Sequence, residues 1–222
     1  METDIIVEGF KKSEAMHGLR YIYMIGDGDS SVYLSVTINV PYGLGVHKVE
    51  CANHAIKCFR SGLEKITKEN AGYSGKHGLT PARIQRICRG MKCAIRQHSS
   101  SNDVAALPHD LRNCPHHCFG DHKNCRSSFC KNAGKENEEL FEMMPAGLIQ
   151  AVDTLADRIV SKAAQLIRNK TTNLCENYMS IRCKMDGGKY FNRVQSGSFQ
   201  HRCIAAALRV QCGPDWIAQV WR

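Results

Sequence analysis

Apolar positions recur on two different periods along this chain, and the switches between them mark its elements. Ile5, Ile6 and Phe10 share one side of residues 4–16 while Lys11 and Lys12 face away, which predicts a short amphipathic helix. Residues 19–25, within "LRYIYMI", are a run of aromatic and β-branched side chains that ends in Gly26-Asp27-Gly28-Asp29. That pattern predicts a buried strand delivering a carboxylate to the end of a sheet. Ser30 or Ser31 then caps a helix that runs through Val40 and stops at Pro41-Tyr42-Gly43. A second strand is expected over residues 46–51, "VHKVEC", and a helix over "ANHAIKCFRSGLEKITKE". Strand, helix, strand, helix in this order predicts an α/β core with parallel pairing.

The texture changes after this core. The chain divides by pattern into residues 1–56, an insertion over 57–140, and a C-terminal part over 141–222. Residues 57–131 carry fourteen Lys or Arg against five Asp or Glu. A helix is expected over residues 80–98 and irregular chain after Ser99. The clearest helix begins at Pro145 and is expected to run to about Lys170. Its stripe of Leu148, Val152, Leu155, Ile159, Ala163 and Leu166 advances by 4, 3, 4, 4 and 3 residues. Another helix starts near Asn173, and a small one covers residues 202–210.

Composition changes this picture in two respects. Over 222 residues, 43% hydrophobic and 23% charged content is that of an ordinary globular chain. The 30 Lys and Arg against 21 Asp and Glu leave a net charge of +9, which favours a polyanionic partner such as nucleic acid. The acids of "METDIIVEGFKKSE" exclude a signal peptide, and no apolar run approaches the ~20 residues of a membrane helix. Twelve cysteines without a secretory signal therefore read as reduced thiols, some of them holding metal. Cys58, Cys88 and Cys183, which are scattered, read as small buried apolar residues.

Four constellations carry candidate chemistry. Asp27 and Asp29 at a strand end suit a hard divalent cation, and equally suit an Asx-turn closing the strand. Cys51 and His54 form C-x2-H at the end of the second strand, either half a zinc site or two polar groups packed beside an active centre. "CPHHCFGDHKNCRSSFC" packs four cysteines and three histidines into seventeen residues. Within it His117, His122, Cys125 and Cys130 are a plausible tetrahedral set for structural Zn2+, with Cys114, His116 and Cys118 as spares. Glu176 near a helix start either completes a capping box with Asn173 or points into the cleft that holds Asp27.

The order of these pieces resembles the catalytic region of Mutator-like transposases of the DDE group, of the type encoded by animal DNA transposons. The resemblance rests on "MHGLRYIYMIGDGDSSVY", "KVECANH", "DLRNCPHHCFGDHKNC", "CENYMSI" and "GGKYFNRVQSGSFQHRC". It implies a partial ribonuclease-H-like core with a mostly helical, zinc-stapled insertion. It also implies Asp27 as the second catalytic aspartate (Asp29 the less favoured candidate), Cys51 and His54 as the family C-x2-H, and Glu176 as the last acidic ligand. The first aspartate would lie upstream of residues that resemble this chain's start. The resemblance thus identifies a C-terminal part of the catalytic region, catalytically incomplete alone. The implied chemistry is DNA cleavage and strand transfer by Mg2+ or Mn2+, in the nucleus, by a chain able to form homo-oligomers and with no membrane association. The alternative is a zinc-stapled basic module that binds DNA or protein. For double-stranded DNA the candidate contacts are Arg83, Arg86 and Arg89 on one helix face, with Lys189, Arg193 and Arg202 in the tail. Tyr190 and Phe191 could stack there on a splayed base.

Overall fold

Helical periodicity dominates the folded chain. The computed structural model describes residues 2–28, 30–135, 139–188, 194 and 196–220. It is mostly helical with one small two-stranded parallel sheet. The chain packs as two compact units, Met1–Thr171 and Thr172–Arg222.

In the first unit, α1 (Glu2–His17) and α2 (Ser30–Asn39) bury Val7, Phe10, Val36 and Val40 together with Val46 in a small core. Strands β1 (Tyr23–Gly26) and β2 (His47–Glu50) pair in parallel, with Tyr23 opposite His47 and Gly26 opposite Glu50. The first strand is shorter than its apolar run and is not buried: Tyr23 and Ile25 are 40% and 41% exposed. Period-2 alternation turns these two outward together, and among the described residues β1 pairs with β2 alone.

The larger core lies among α3 (Ala52–Glu69), α4 (Pro81–Ser101), α5 (Leu107–Cys118), α7 (Leu148–Val160) and α8 (Ala163–Leu166). A four-residue acidic turn, α6 (Glu139–Glu142), precedes α7. Helix α4 has Pro81 in its first turn, and the Thr80 hydroxyl accepts from the Arg83 N–H at 3.1 Å. Its end at Asn102 is left-handed, φ 54°. At Gly62 any Cβ would sit 3.1 Å from Leu155 Cδ2, so the missing side chain lets α3 and α7 approach closely.

Two expectations are corrected. Chain expected to be irregular after Ser99 contains α5, which buries Leu107, Leu111, Pro115 and Cys118 along one stripe. Pro108 in its first turn and the Asp103 carboxylate accepting from the Ala106 N–H at 3.0 Å start it. The long helix expected from Pro145 to Lys170 breaks at Ser161-Lys162 into α7 and α8. There the Lys162 N–H bonds to the Ile159 carbonyl at 3.0 Å, an i→i−3 bond, and the Ser161 hydroxyl takes up the Arg158 carbonyl. The apolar stripe continues across the break, with Ile159, Ala163 and Leu166 all buried.

The second unit pairs α9 (Asn173–Met185) with α10 (Phe199–Cys212), followed by the short α11 (Trp216–Val220). Ala206 is fully buried, and the Arg182 guanidinium lies 5.4 Å from the centre of the Phe199 ring. Helix α10 is longer than the stretch expected over residues 202–210.

Candidate functional site

Helix α5 and the turns after it bring four ligand-type side chains to one point. His117 lies in the last turn of α5, His122 and Cys125 in the following turn, and Cys130 closes the loop. Their ligand atoms all lie within 4.8 Å of one another. Cys125 Sγ is 3.5 Å from His117 Nδ1 and 3.7 Å from His122 Nδ1, and Cys130 Sγ is 3.5 Å from His122 Nδ1. Tetrahedral zinc with bonds of about 2.3 Å to sulfur and 2.0 Å to nitrogen sets N···S separations of roughly 3.6 Å. The four side chains can therefore hold a metal ion such as zinc. His122 and Cys130 are buried, and outer partners are in place. Asn113 Nδ2 donates to Cys125 Sγ at 3.3 Å, and the Asn132 N–H donates to Cys130 Sγ at the same distance. These are the residues that the H-x4-H-x2-C-x4-C spacing selects.

The three spare residues do other work. Cys118 sits in the core, where burial pushes its thiol up to about 11. Burial pushes Cys114 higher still, and that side chain packs 3.4 Å from the Cβ position of Gly90 on α4. His116 ties α5 to α7 through Asp153 at 3.0 Å. The loop is also fastened by Arg126, whose Nε is 3.2 Å from the Asp110 carboxylate, itself 2.6 Å from His98 Nε2 on α4.

A second site lies where both strands end. A cleft of about 580 Å3 is lined by Asp27, Gly28, Glu50, His54, Cys58, Arg158 and Lys162, with Phe59, Leu155 and Ile159 as its apolar wall. Strand ends of a parallel sheet are where ligands collect. Asp27 is exposed, and Gly28 takes φ 103°, a turn that favours glycine there. Asp27 and His54 thus share one cleft. Cys51 does not line it: it is buried at the start of α3, and its N–H donates to the Gly26 carbonyl at 2.8 Å. Neither Cys51 nor His54 belongs to a metal-type cluster among the described residues. Asp29 lies outside the described residues.

Glu50 is a residue that sequence patterning passes over. It is 1% exposed at the end of β2, with Lys48 Nζ at 3.2 Å and Lys162 Nζ at 3.1 Å. The break between α7 and α8 places Lys162 there, 3.8 Å from the Cβ position of Gly28. The signal for Glu50 in the sequence is a glutamate directly before Cys51, at the end of the short strand His47–Glu50. Cys58, expected to be buried, is exposed, with Sγ 3.2 Å from His54 Nε2. It stands one turn beyond His54, on the cleft side of α3. Cys183 is half-buried, whereas Cys88 is buried as expected.

The remaining candidates divide by location. Glu176 is exposed in the second unit and accepts from the Thr172 hydroxyl at 3.0 Å. Helix α9 already includes Asn173, so the expected cap moves back by one residue, and Thr172 makes no side-chain bond to the helix backbone. Arg83 is turned inward: its guanidinium donates to the Gly78 and Lys76 carbonyls and lies 5.1 Å from the Phe119 ring centre. Arg86 and Arg89 are exposed at a cavity of about 360 Å3 that also borders His117, Cys125 and Cys130. Arg202 donates to the Met185 carbonyl and to Ser198 Oγ within its own unit. Lys189, Tyr190, Phe191 and Arg193 lie outside the described residues. No described helix is long and apolar enough to cross a membrane.

Comparison with known proteins supplies the lineage. No curated protein and no solved structure matches the chain. The family model for Mutator-like transposase matches residues 1–130, a span that holds both strands, the C-x2-H and all four residues of the Cys/His cluster. On that match over more than half its length, the chain belongs to the Mutator-like transposases.

Proposed function

We propose that this chain is part of a DDE-type transposase core acting on double-stranded DNA in the nucleus, with Asp27 as one metal-binding acid and Glu176 as another. The observation that carries the reading is Asp27 at the open end of a parallel strand, in a cleft with His54, Arg158 and Lys162. Arg158 and Lys162 suit a phosphodiester, and His54 suits a polar contact beside it. A divalent ion there would lower the cost of charge developing on a scissile phosphate. Among the described residues of Met1–Thr171 the cleft offers Asp27 and a Glu50 carboxylate already engaged by Lys48 and Lys162, too few acids to hold two ions. Asp29 and Glu176 are the further candidates. Two-ion catalysis in this cleft would therefore need acids beyond Asp27 and Glu50. The edge of β1, which pairs with β2 alone among the described residues, supports a ribonuclease-H-like sheet with further strands.

Mn2+ titration and nicking of supercoiled DNA test this assignment. Weak Mn2+ uptake is expected, reduced by Asp27→Asn and by Glu176→Gln, with no cleavage. Cleavage by the chain alone would overturn its incompleteness, and uptake indifferent to both substitutions would overturn the ligand assignment.

The second reading, a zinc-stapled module that binds DNA or protein, is favoured by the Cys/His cluster with Arg86 and Arg89 at its side. DNA binding through this face should be indifferent to sequence and weakened by salt. Arg86→Ala with Arg89→Ala should lower affinity and flatten the logarithmic salt slope by about two units at most. Loss of neither affinity nor slope would remove DNA from this face. Self-association belongs to the same proposal, and light scattering with and without DNA tests it.

A further inference from the structure

The cleft holds a nucleophile that neither the metal chemistry nor the zinc staple uses. Cys58 and His54 stand four residues apart on α3, so their side chains meet one turn from each other, with Sγ and Nε2 3.2 Å apart. Cys58 is exposed, and both residues line the strand-end cleft. Other thiols are placed differently. Cys88, Cys114 and Cys118 pack in or against the core and burial pushes all three up, while Cys125 and Cys130 belong to the Cys/His cluster. Cys93 and Cys175 are exposed as well, but no hydrogen bond joins either to an imidazole among the described residues.

We propose that Cys58 is a thiol-modification site, with His54 as its proton acceptor, and that its natural reagent is an anionic low-molecular-weight disulfide such as glutathione disulfide. A base within hydrogen-bond reach of a thiol is the arrangement that makes sulfur nucleophilic. In the exchange, Cys58 Sγ attacks one sulfur of the disulfide. A new S–S bond forms to Cys58, and the S–S bond of the reagent breaks. Cys58 is oxidised, and the departing glutathione thiolate is reduced and takes the proton that His54 Nε2 received. The cleft, about 580 Å3, has room for a tripeptide. Arg158 on its rim matches a carboxylate of glutathione, and Phe59, Leu155 and Ile159 offer an apolar wall to the remainder. An adduct there occupies the space in front of Asp27.

The test uses the full zinc-loaded chain and peptide mapping by mass spectrometry. With neutral iodoacetamide, Cys58 should react about ten-fold faster than Cys93 and Cys175. His54→Gln should bring its rate down to theirs. With glutathione disulfide the first adduct should form on Cys58, and Arg158→Ala should slow that step about three-fold more than it slows the reaction with neutral iodoacetamide. Equal iodoacetamide rates at Cys58, Cys93 and Cys175 in the unaltered chain would overturn the proposal without any variant. An Arg158→Ala chain that reacts with glutathione disulfide as fast as the parent would overturn the anionic reagent. None of these readouts requires DNA or a divalent ion.

Discussion

Once zinc is loaded into the Cys/His cluster, a chelator should release residues 120–135 while the helical core stays folded. Cys130 is the apolar side chain that this segment buries, whereas α3, α4, α5, α7 and α8 bury a continuous cluster from Ala52 to Ile167. Ordering sixteen residues of backbone costs on the order of 15 kcal/mol. Structural zinc supplies about 10–16 kcal/mol in small zinc modules near neutral pH, so the ion and the ordering cost are of one size. Without it the segment keeps the Arg126–Asp110 pair and a few turn bonds, such as the Gly134 N–H to the His122 carbonyl at 3.0 Å. Those are too few to hold it. Hydrogen exchange read by mass spectrometry, with and without a chelator under reducing conditions, follows the two regions separately. The amides of Cys125, Cys130 and Gly134 should lose protection by two orders of magnitude or more on chelation, a change of roughly 3 kcal/mol or above in local opening. Amides of α3 and α7 should be unchanged. The reasoning fails if the chelator leaves residues 120–135 protected, or if α7 opens together with them.

Other expectations concern single residues. Burial raises the Cys118 thiol to about 11. Its contribution to stability is therefore complete below the unfolded value of about 8.5 and falls as pH rises towards 11, by up to ~1.4 kcal/mol per pH unit. Cys118→Ala should flatten that decline in denaturant titrations, and identical slopes would refute the burial effect. Arg83→Ala should cost about 1–2 kcal/mol because it strips donors from the Lys76 and Gly78 carbonyls, while Arg86→Ala and Arg89→Ala should leave the thermal midpoint in place. A midpoint that moves equally in all three would return Arg83 to the solvent face. Glu50→Gln should destabilise by about 2–4 kcal/mol by leaving Lys48 and Lys162 facing a neutral group, and Lys162→Met should recover part of that loss in the double variant. Additive losses would count against the pairing. Leu63→Ala, which empties a fully buried site on α3, should cost about 2–5 kcal/mol by urea unfolding.

Local chemistry was legible in the sequence wherever neighbours along the chain are also neighbours in space. The Cys/His cluster is such a case: His117, His122, Cys125 and Cys130 fall within one turn and loop, so ligand type and spacing were enough to select them. The same holds for the apolar stripe of α7. Helix α5 is hidden in the sequence because ligand-type residues crowd its last turns, although Leu107, Leu111 and Cys118 keep a helical period.

Tertiary structure decided whatever depends on which distant groups share a space. An apolar run predicts a strand without saying that Tyr23 and Ile25 face outward, since exposure depends on what covers the sheet. Lys162 meets Glu50 only because α7 breaks after Val160, and a stripe that passes unbroken through Ile159, Ala163 and Leu166 conceals that break. Arg83, Arg86 and Arg89 have the same spacing and charge, yet Arg83 turns inward because the Lys76 and Gly78 carbonyls and the Phe119 ring lie beside it. Periodicity specifies the face of an element. The partners of that face are set by packing between segments far apart in the chain, where burial and unpaired polar groups cost more than local propensity returns.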